Sequence, residues 1–541
     1  MEKIAKLAAW FVLLQGWQRL LTAFALGLAS ALAMPPVYFF PVLFFTFASF
    51  AWIMDGAYSD ARTGFFGLLR SAFAPGWWFG FGYFLAGLWW IGNAFLIEAE
   101  DFAWALPFAV VLLPALLAVF WGIAAVIARL LWSDHWGRAF ALAAGFGAAE
   151  YLRGTLFTGF PWNAIGYAIM PHPVLMQGAS VLGLYGMTVI AVLVLALPMI
   201  ALSAGSGGKA WPRLPLMLAV VLAAAQSGYG AYRLATAAEA ADGPAIRIMQ
   251  PAIEQRDKLA PGNELSIIET YLDVSVSSPE GDKDGLEGID YLIWPESAFP
   301  FLLTEQPEVI AAIANMLPEG TTLVTGALRW EPGGAGNPQG HVYNSIYVID
   351  SNGEILEAAD KTHLVPFGEY LPFQTLLETY GFEQLTRQAG GFAAGAQRNV
   401  LLGSGDHPML PLICYEAIFS GALRNGLSDA AAKPAWIVNL TNDAWFGRTP
   451  GPYQHFQQAL LRGVEEGIPV VRVANTGISA VSNAHGQILE SIPLGAQGTA
   501  DAVLPQALGD TLFTRFGHGP FGALLIACCI IALTSRRLGI G

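Results

Sequence analysis

Three side chains that lie far apart in the sequence have the types that acyl transfer needs: Glu296, Lys361 and Cys414. A thiol attacks a carbonyl as the thiolate, so it needs a base to take its proton. The tetrahedral product carries a negative oxygen, so it needs a cation or an N–H group beside it. A carboxylate, an ammonium and a thiol can supply these functions together. Taken singly, each has a duller reading. A lone cysteine is usually an inert small hydrophobe, and Glu and Lys are common on any surface. The other two cysteines, Cys528 and Cys529, are neighbours in an apolar C-terminal run, so no disulfide framework is expected.

All three residues follow strand-like stretches. Glu296 comes after Leu292-Ile-Trp-Pro295, Cys414 after Leu410-Pro-Leu-Ile413, and Lys361 lies beyond a β-branched run at Ser345–Ile349. Further short runs at 246–250, 291–294, 322–325, 410–414, 436–439 and 470–473 predict strands, and 266–277, 308–316 and 453–467 predict helices. The alternation of the two implies an α/β or α+β core of one domain's size.

This domain is set in a very different chain. Of the 541 residues 55% are hydrophobic, too many for an ordinary soluble enzyme. Residues 243–510 hold 13 Lys and Arg against 31 Asp and Glu, a formal charge of −18, whereas the remainder carries +4. That acidity, with no basic stripe, argues against a nucleic-acid partner. Apolar runs long enough or nearly long enough to span a bilayer lie near 19–34, 38–54, 75–97, 105–131, 138–158, 179–203, 213–232 and 516–535. About eight spans are therefore expected, seven before the acidic domain and one after it. With a cytoplasmic N-terminus, Lys3, Lys6, Arg19, Arg62, Arg70, Arg129, Arg138, Lys209, Arg213, Arg536 and Arg537 fall inside and Arg153, Arg233 and Arg515 outside. That bias places residues 243–510 on the outer face. The expected domains are thus 1–242 (seven spans), 243–510 (the site-bearing domain) and 511–541 (the eighth span and a short cytoplasmic tail). Within the membrane part, Glu150 and Arg153 stand three apart on one helical face, either as an ion pair that fixes packing or as a substrate contact. Trp89-Trp90 and Gly159-Phe-Pro-Trp162 read either as interfacial aromatic belts or as the lining of a lipid path.

WPES at 294–297, KTHLVPFGEYLP at 361–372 and CYE at 414–416 together resemble the nitrilase superfamily, and the eight-span scaffold with this domain before its last span is similar to the apolipoprotein N-acyltransferase family, its membrane-embedded branch. The resemblance covers nearly the whole chain. It implies an integral membrane α-helical bundle carrying an extracytoplasmic αββα sandwich. It further implies Glu296 as general base, Lys361 as the cation on the oxyanion and Cys414 as nucleophile, with the Tyr415 N–H completing the oxyanion site. Glu369 matches a supporting family glutamate, and Tyr415 and Glu416 match residues that flank the family's nucleophile. TND at 441–443 and RVANTGIS at 472–479 match later family strands and read as structural turns and core. One departure is Lys258-Leu259, where relatives often have Trp after the Lys.

The implied reaction passes an acyl chain from a phospholipid, phosphatidylethanolamine in the family, through a Cys414 thioester to the α-amine of a diacylglyceryl-cysteine apolipoprotein at the bacterial inner membrane, on its periplasmic side. No cofactor or metal is expected, because His341, His363, His407 and His455 are scattered without ligand spacing. Residues 380–399, with Gly381, Gly390, Gly391 and Gly395 around Phe382, Leu385 and Phe392, read as a lid or as an ordinary surface loop. Two rivals stand beside this reading. A membrane-tethered nitrilase-type amidase would pass the acyl group to water. A transporter with an outer ligand-binding domain would show paired repeats or broken helices, and no convincing repeat is present.

Overall fold

The computed structural model describes residues 2–57, 64–133, 135–203, 213–236, 243–277, 285–333, 340–379, 384–386, 391–403, 405, 407–423, 427 and 432–538. The chain forms two compact units, one of Met1–Gly92, Ala105–Ala237 and Asp510–Gly541, the other of Asn93–Trp104 and Ala238–Gly509.

The first unit is helical. Among the described residues, five helices are long and apolar enough to cross a membrane, namely Gly64–Ile97, Ala99–Leu130, Ala179–Ala201, Leu214–Ala235 and Gly519–Arg537, and Val42–Gly56 is apolar but shorter. The runs near 19–34 and 138–158 form the helices Gly16–Ser30 and Arg138–Thr155. The first is too short for that class, and the second carries Arg138, Glu150 and Arg153. Those charges are accommodated inside the unit. The Arg153 guanidinium donates to the Glu150 carboxylate and to the carbonyls of Phe160 and Trp162, while Glu150 accepts the Trp121 indole N–H at 2.6 Å. The pair ties the 159–162 turn back onto its own helix. Trp90 and Trp162 are also buried and pack 5.0 Å apart, so of the aromatics considered for an interfacial belt only Trp89 and Phe160 keep partial or full exposure.

The second unit is built on two sheets. Its strands are β1 (Ala245–Gln250), β2 (Tyr291–Ile293), β3 (Thr322–Glu331), β4 (His341–Ile349), β5 (Ile355–Asp360), β6 (Met409–Ile413), β7 (Trp436–Thr441), β8 (Val470–Ala474), β9 (Ser479–Ser482), β10 (Ile488–Ile492) and β11 (Gly498–Val503). One sheet runs β11-β1-β2-β3-β4-β5 and the other β10-β9-β8-β7-β6. The inner strands β1, β2 and β3 are mutually parallel, as are β6, β7 and β8. Alternate residues of these strands point to opposite faces. Ile246, Ile248, Ile293, Val324 and Ile346 meet Met409, Ile413, Val438, Leu440 and Val471 in the layer between the sheets. On the other face of the first sheet, Leu292, Leu323 and Tyr347 pack against Ile267 and Tyr271 of helix Glu264–Ser275 and Ile313 of helix Pro307–Met316. On the other face of the second, Leu412, Ile437 and Val470 meet Ala459 of helix Pro450–Glu466. The result is the expected α/β sandwich of two sheets between helical layers.

Helix Pro450–Glu466 has clear local causes. Thr449 caps it by accepting the Gly451 N–H at 3.3 Å, Pro450 presets its first turn, and Gly467 ends it in the left-handed conformation with φ 73°.

Of the segment 380–399, residues 380–383 and 387–390, including Gly381, Phe382 and Gly390, lie outside the described residues.

Candidate active site

Parallel strands deliver their C-terminal ends to one edge of a sheet, and the site begins there. Glu296 sits in the turn after β2. That turn is laced to β3: Ala298 N–H donates to the Gly326 carbonyl at 3.0 Å and Gly326 N–H to the Pro295 carbonyl at 3.2 Å. The approach is close enough that a Cβ on Gly326 would lie 2.6 Å from the Glu296 Cα. Glycine is required at 326 by that contact.

Lys361 follows directly on β5 rather than on the Ser345 strand, which is β4 and pairs antiparallel with β5. Its N–H donates to the Asn344 carbonyl at 2.8 Å, and its buried Nζ donates to Glu369 Oε1 at 2.8 Å and stands 3.6 Å from Glu296 Oε1. Asn344, on β4, bridges the two carboxylates, its Nδ2 donating to Glu296 Oε1 at 2.7 Å and to Glu369 Oε1 at 3.2 Å. Glu369 is fixed from its other side by the Val365 N–H, 2.8 Å from Oε2. The two glutamates and the lysine thus form one buried hydrogen-bonded set.

Cys414 follows β6 and opens the short 3-10 turn Cys414–Ile418. Its φ is +50°, a left-handed conformation that costs a residue other than glycine about 1–3 kcal/mol. Cys414 is 8% exposed, and its thiol feels the charges of Glu296, Lys361 and Asp443.

Burial, reinforced by the Glu296 charge and opposed by Lys361, pushes the Cys414 thiol well above its ordinary range. The resting group is therefore the protonated thiol, and use of this sulfur as a nucleophile would require removal of its proton. Burial raises the Glu296 carboxyl too; Lys361 opposes the rise and Glu369 adds to it. A carboxyl raised in this way is a better proton acceptor than an exposed one. Burial disfavours the Lys361 ammonium, yet Glu369 and Glu296 outweigh it and hold the group above its ordinary value, so it stays cationic. Carboxyl, ammonium and thiol are the groups that acyl transfer can use, and they stand on three strand ends.

Glu416 is placed as a clamp. Its Oε1 accepts from Thr362 N–H (3.0 Å), Thr362 Oγ1 (2.7 Å), His363 N–H (3.2 Å) and Arg398 Nη2 (2.7 Å), and its Oε2 accepts the Ile413 N–H at 2.8 Å. It ties the loop after Lys361 to the turn that bears Cys414. Burial alone would raise its carboxyl, but Arg398 and these donors hold it below the ordinary carboxylate range. Tyr415 packs edge-on against His363 and Phe419, with ring centroids 5.7 and 5.0 Å away.

Several residues around the site escaped the sequence reading. Asn344 is one; its only signal is an amide inside an apolar strand. Lys258 was singled out only for the Leu259 that follows it, not for a place at the site: it is buried, its Nζ donates to the Glu296 carbonyl at 3.5 Å, and burial brings its ammonium down to about 8 against the pull of Glu296. Arg398, which anchors Glu416, carried no motif. Asp443 and Arg472 lie within the TND and RVANTGIS motifs, read as turns and core; they form a buried ion pair at 2.7 Å, with His455 Nδ1 2.9 Å from Asp443.

Comparison with known proteins adds the following. Residues 26–197 match the family model described as apolipoprotein N-acyltransferase N-terminal domain, and residues 276–511 match that of carbon-nitrogen hydrolase. The chain is 46% identical over 540 residues to an apolipoprotein N-acyltransferase of Allorhizobium ampelinum, covering 99% of both chains. It is 48% identical over 539 residues to that of Agrobacterium fabrum, covering 98% of this chain and 99% of the relative. For Brucella suis the figures are 47% over 505 residues, 93% and 92%.

Proposed function

The chain belongs to the apolipoprotein N-acyltransferase family, and from that premise we propose that it transfers an acyl chain from a membrane phospholipid, through a thioester on Cys414, to the N-terminal amine of diacylglyceryl-cysteine apolipoproteins. The observation that carries this reading is the buried set of Glu296, Lys361 and Glu369, of which Glu296 and Lys361 act by charge on the Cys414 thiol.

In the proposed cycle the donor, phosphatidylethanolamine, presents an ester carbonyl to Cys414. Glu296 takes the thiol proton as sulfur bonds to the carbonyl carbon, and the negative oxygen is held by Lys361 and the Tyr415 N–H. The carbon–oxygen bond then breaks, Glu296 returns the proton to the departing lysophospholipid, and the acyl group stays on sulfur. The acceptor amine attacks the thioester, its surplus proton passes by way of Glu296 to the sulfur, and the amide product leaves with the free thiol restored. A ping-pong route of this kind lets two lipid substrates use one site in turn.

The apolar unit supports a bilayer location. Both substrates are acyl lipids, and a site outside the membrane would have to extract them at about 0.8 kcal/mol per CH₂. The reading keeps the seven-span 1–242, catalytic 243–510 and single-span 511–541 arrangement, with the catalytic domain on the periplasmic side of the inner membrane. It is supported by the basic-residue bias.

The reading is tested in proteoliposomes containing labelled phosphatidylethanolamine and a diacylglyceryl-cysteine peptide. Release of lysophospholipid in step with N-acyl peptide, lost in Cys414→Ala and Glu296→Gln, is expected. Free fatty acid as the main product, with the peptide unmodified, would identify a hydrolase instead.

A further inference from the structure

We propose that His455 is a positioning residue for this chemistry: it holds the carbonyl of Cys414 and so aims the Tyr415 N–H at the oxyanion. The proposal rests on the Cys414 thioester reading above.

The geometry is a closed circuit around the nucleophile. His455, on helix Pro450–Glu466, has its Nε2 3.1 Å from the Cys414 carbonyl oxygen and its Nδ1 2.9 Å from Asp443 Oδ1 and 3.1 Å from Arg472 Nη2. Thr441 Oγ1 donates to Asp443 Oδ1 at 3.1 Å. The carbonyl of Cys414 therefore leads back through His455 to Asp443, which Arg472 Nη2 anchors from its other oxygen at 2.7 Å. A carbonyl oxygen can only accept, so the Nε2 of His455 must carry a hydrogen. Nδ1 lies beside both the Asp443 carboxylate, an acceptor, and the Arg472 guanidinium, a donor; burial and then Arg472 hold the imidazole below its ordinary value, and Asp443 opposes them.

The consequence follows from the peptide bond. The Cys414 carbonyl and the Tyr415 N–H belong to one planar trans unit and point in opposite directions. Fixing the carbonyl on the His455 side fixes the N–H on the other. The device is needed here because Cys414 sits at φ +50°, where a residue with a side chain does not rest unaided. A glutamine at 455 keeps an N–H donor, whereas phenylalanine and methionine fill the space without one.

The test compares the parent protein with His455→Phe, His455→Met and His455→Gln in phosphatidylethanolamine vesicles. It reads the single-turnover rate of Cys414 acylation, the lipid concentration for half-maximal rate, thermal unfolding, and the rate of Cys414 alkylation by iodoacetamide, a reaction that forms no oxyanion. Loss of one oxyanion donor lowers such rates about 100-fold or more. We expect a loss of that order in whichever donor-less variant unfolds near the parent temperature, with half-saturation and alkylation within about threefold of the parent, and at least tenfold recovery in His455→Gln. The proposal is overturned if a folded donor-less variant acylates within threefold of the parent, if alkylation falls in step with acylation, or if glutamine restores nothing. Failure of the parent protein itself to acquire an acyl group would instead remove the thioester reading beneath it.

Discussion

A buried charge is tolerated when its partners are present and becomes a liability when one is removed, and Glu416 is such a group. It is an acidic neighbour of the proposed nucleophile, yet its oxygens are taken up by Thr362, His363, Ile413 and Arg398. Glu416→Gln leaves the Arg398 guanidinium without its counter-charge. The expected cost is about 3–5 kcal/mol, seen as a lowered unfolding midpoint at pH 7. Because the Glu416 carboxyl is depressed in the folded protein, its contribution is present above the ordinary carboxylate range and lost as pH falls through the folded value. The parent and the variant should therefore converge in stability as the solution is acidified; a constant gap at every pH would contradict this assignment. Lys258 gives a kinetic counterpart. Its charge lowers the Glu296 carboxyl, so Lys258→Met lets that carboxyl rise, and the acid limb of Cys414 acylation should move to higher pH. An unmoved limb would mean that Lys258 does not act on the base. Neither role was legible beforehand, since satisfaction of a carboxylate depends on residues scattered from 258 to 416.

Strands and turns were legible in proportion to their burial. The seven strands anticipated from β-branched runs correspond to β1 to β4 and β6 to β8, mostly interior strands covered on both faces, which read as continuous apolar segments. The four that were missed are β5, β9, β10 and β11. β5 and β10 are edges with exposed positions along their length, β11 is an edge with three partly exposed or exposed residues at its end, and β9 is four small residues, Ser-Ala-Val-Ser. A chain with one face in water or with little side chain to bury carries only a weak pattern. The site itself was readable because the motifs stand at strand ends, but the approach that shapes it was not. Gly326 is the example. It lies within β3, where a glycine normally weakens a strand, and its reason is the Glu296 turn packed against it. Gly326→Ala should displace that turn and lower acylation at least about tenfold, the scale on which a misplaced base fails, while Cys414 alkylation stays near parental. Parental acylation in this variant would show that the turn can shift without moving the carboxylate.

At the scale of the molecule, composition separates an apolar part from an acidic one, and the chain forms two compact units, the second of which takes in Asn93–Trp104 as well as Ala238–Gly509. The number of spans was less legible, because buried Arg138, Glu150 and Arg153 interrupt one apolar run and the helix Val42–Gly56 is short. What a membrane unit adds to a thiol-based site is a choice of acyl acceptor: lipid-borne amine in place of water. The most direct test of that claim is intact-mass spectrometry of the purified protein after incubation with phosphatidylethanolamine, with Cys414→Ser alongside. The account predicts one acyl mass on the parent alone, labile to hydroxylamine, discharged rapidly by a diacylglyceryl-cysteine peptide and slowly in buffer. Discharge by water as fast as by the peptide, or an acyl mass that persists in Cys414→Ser, would contradict it.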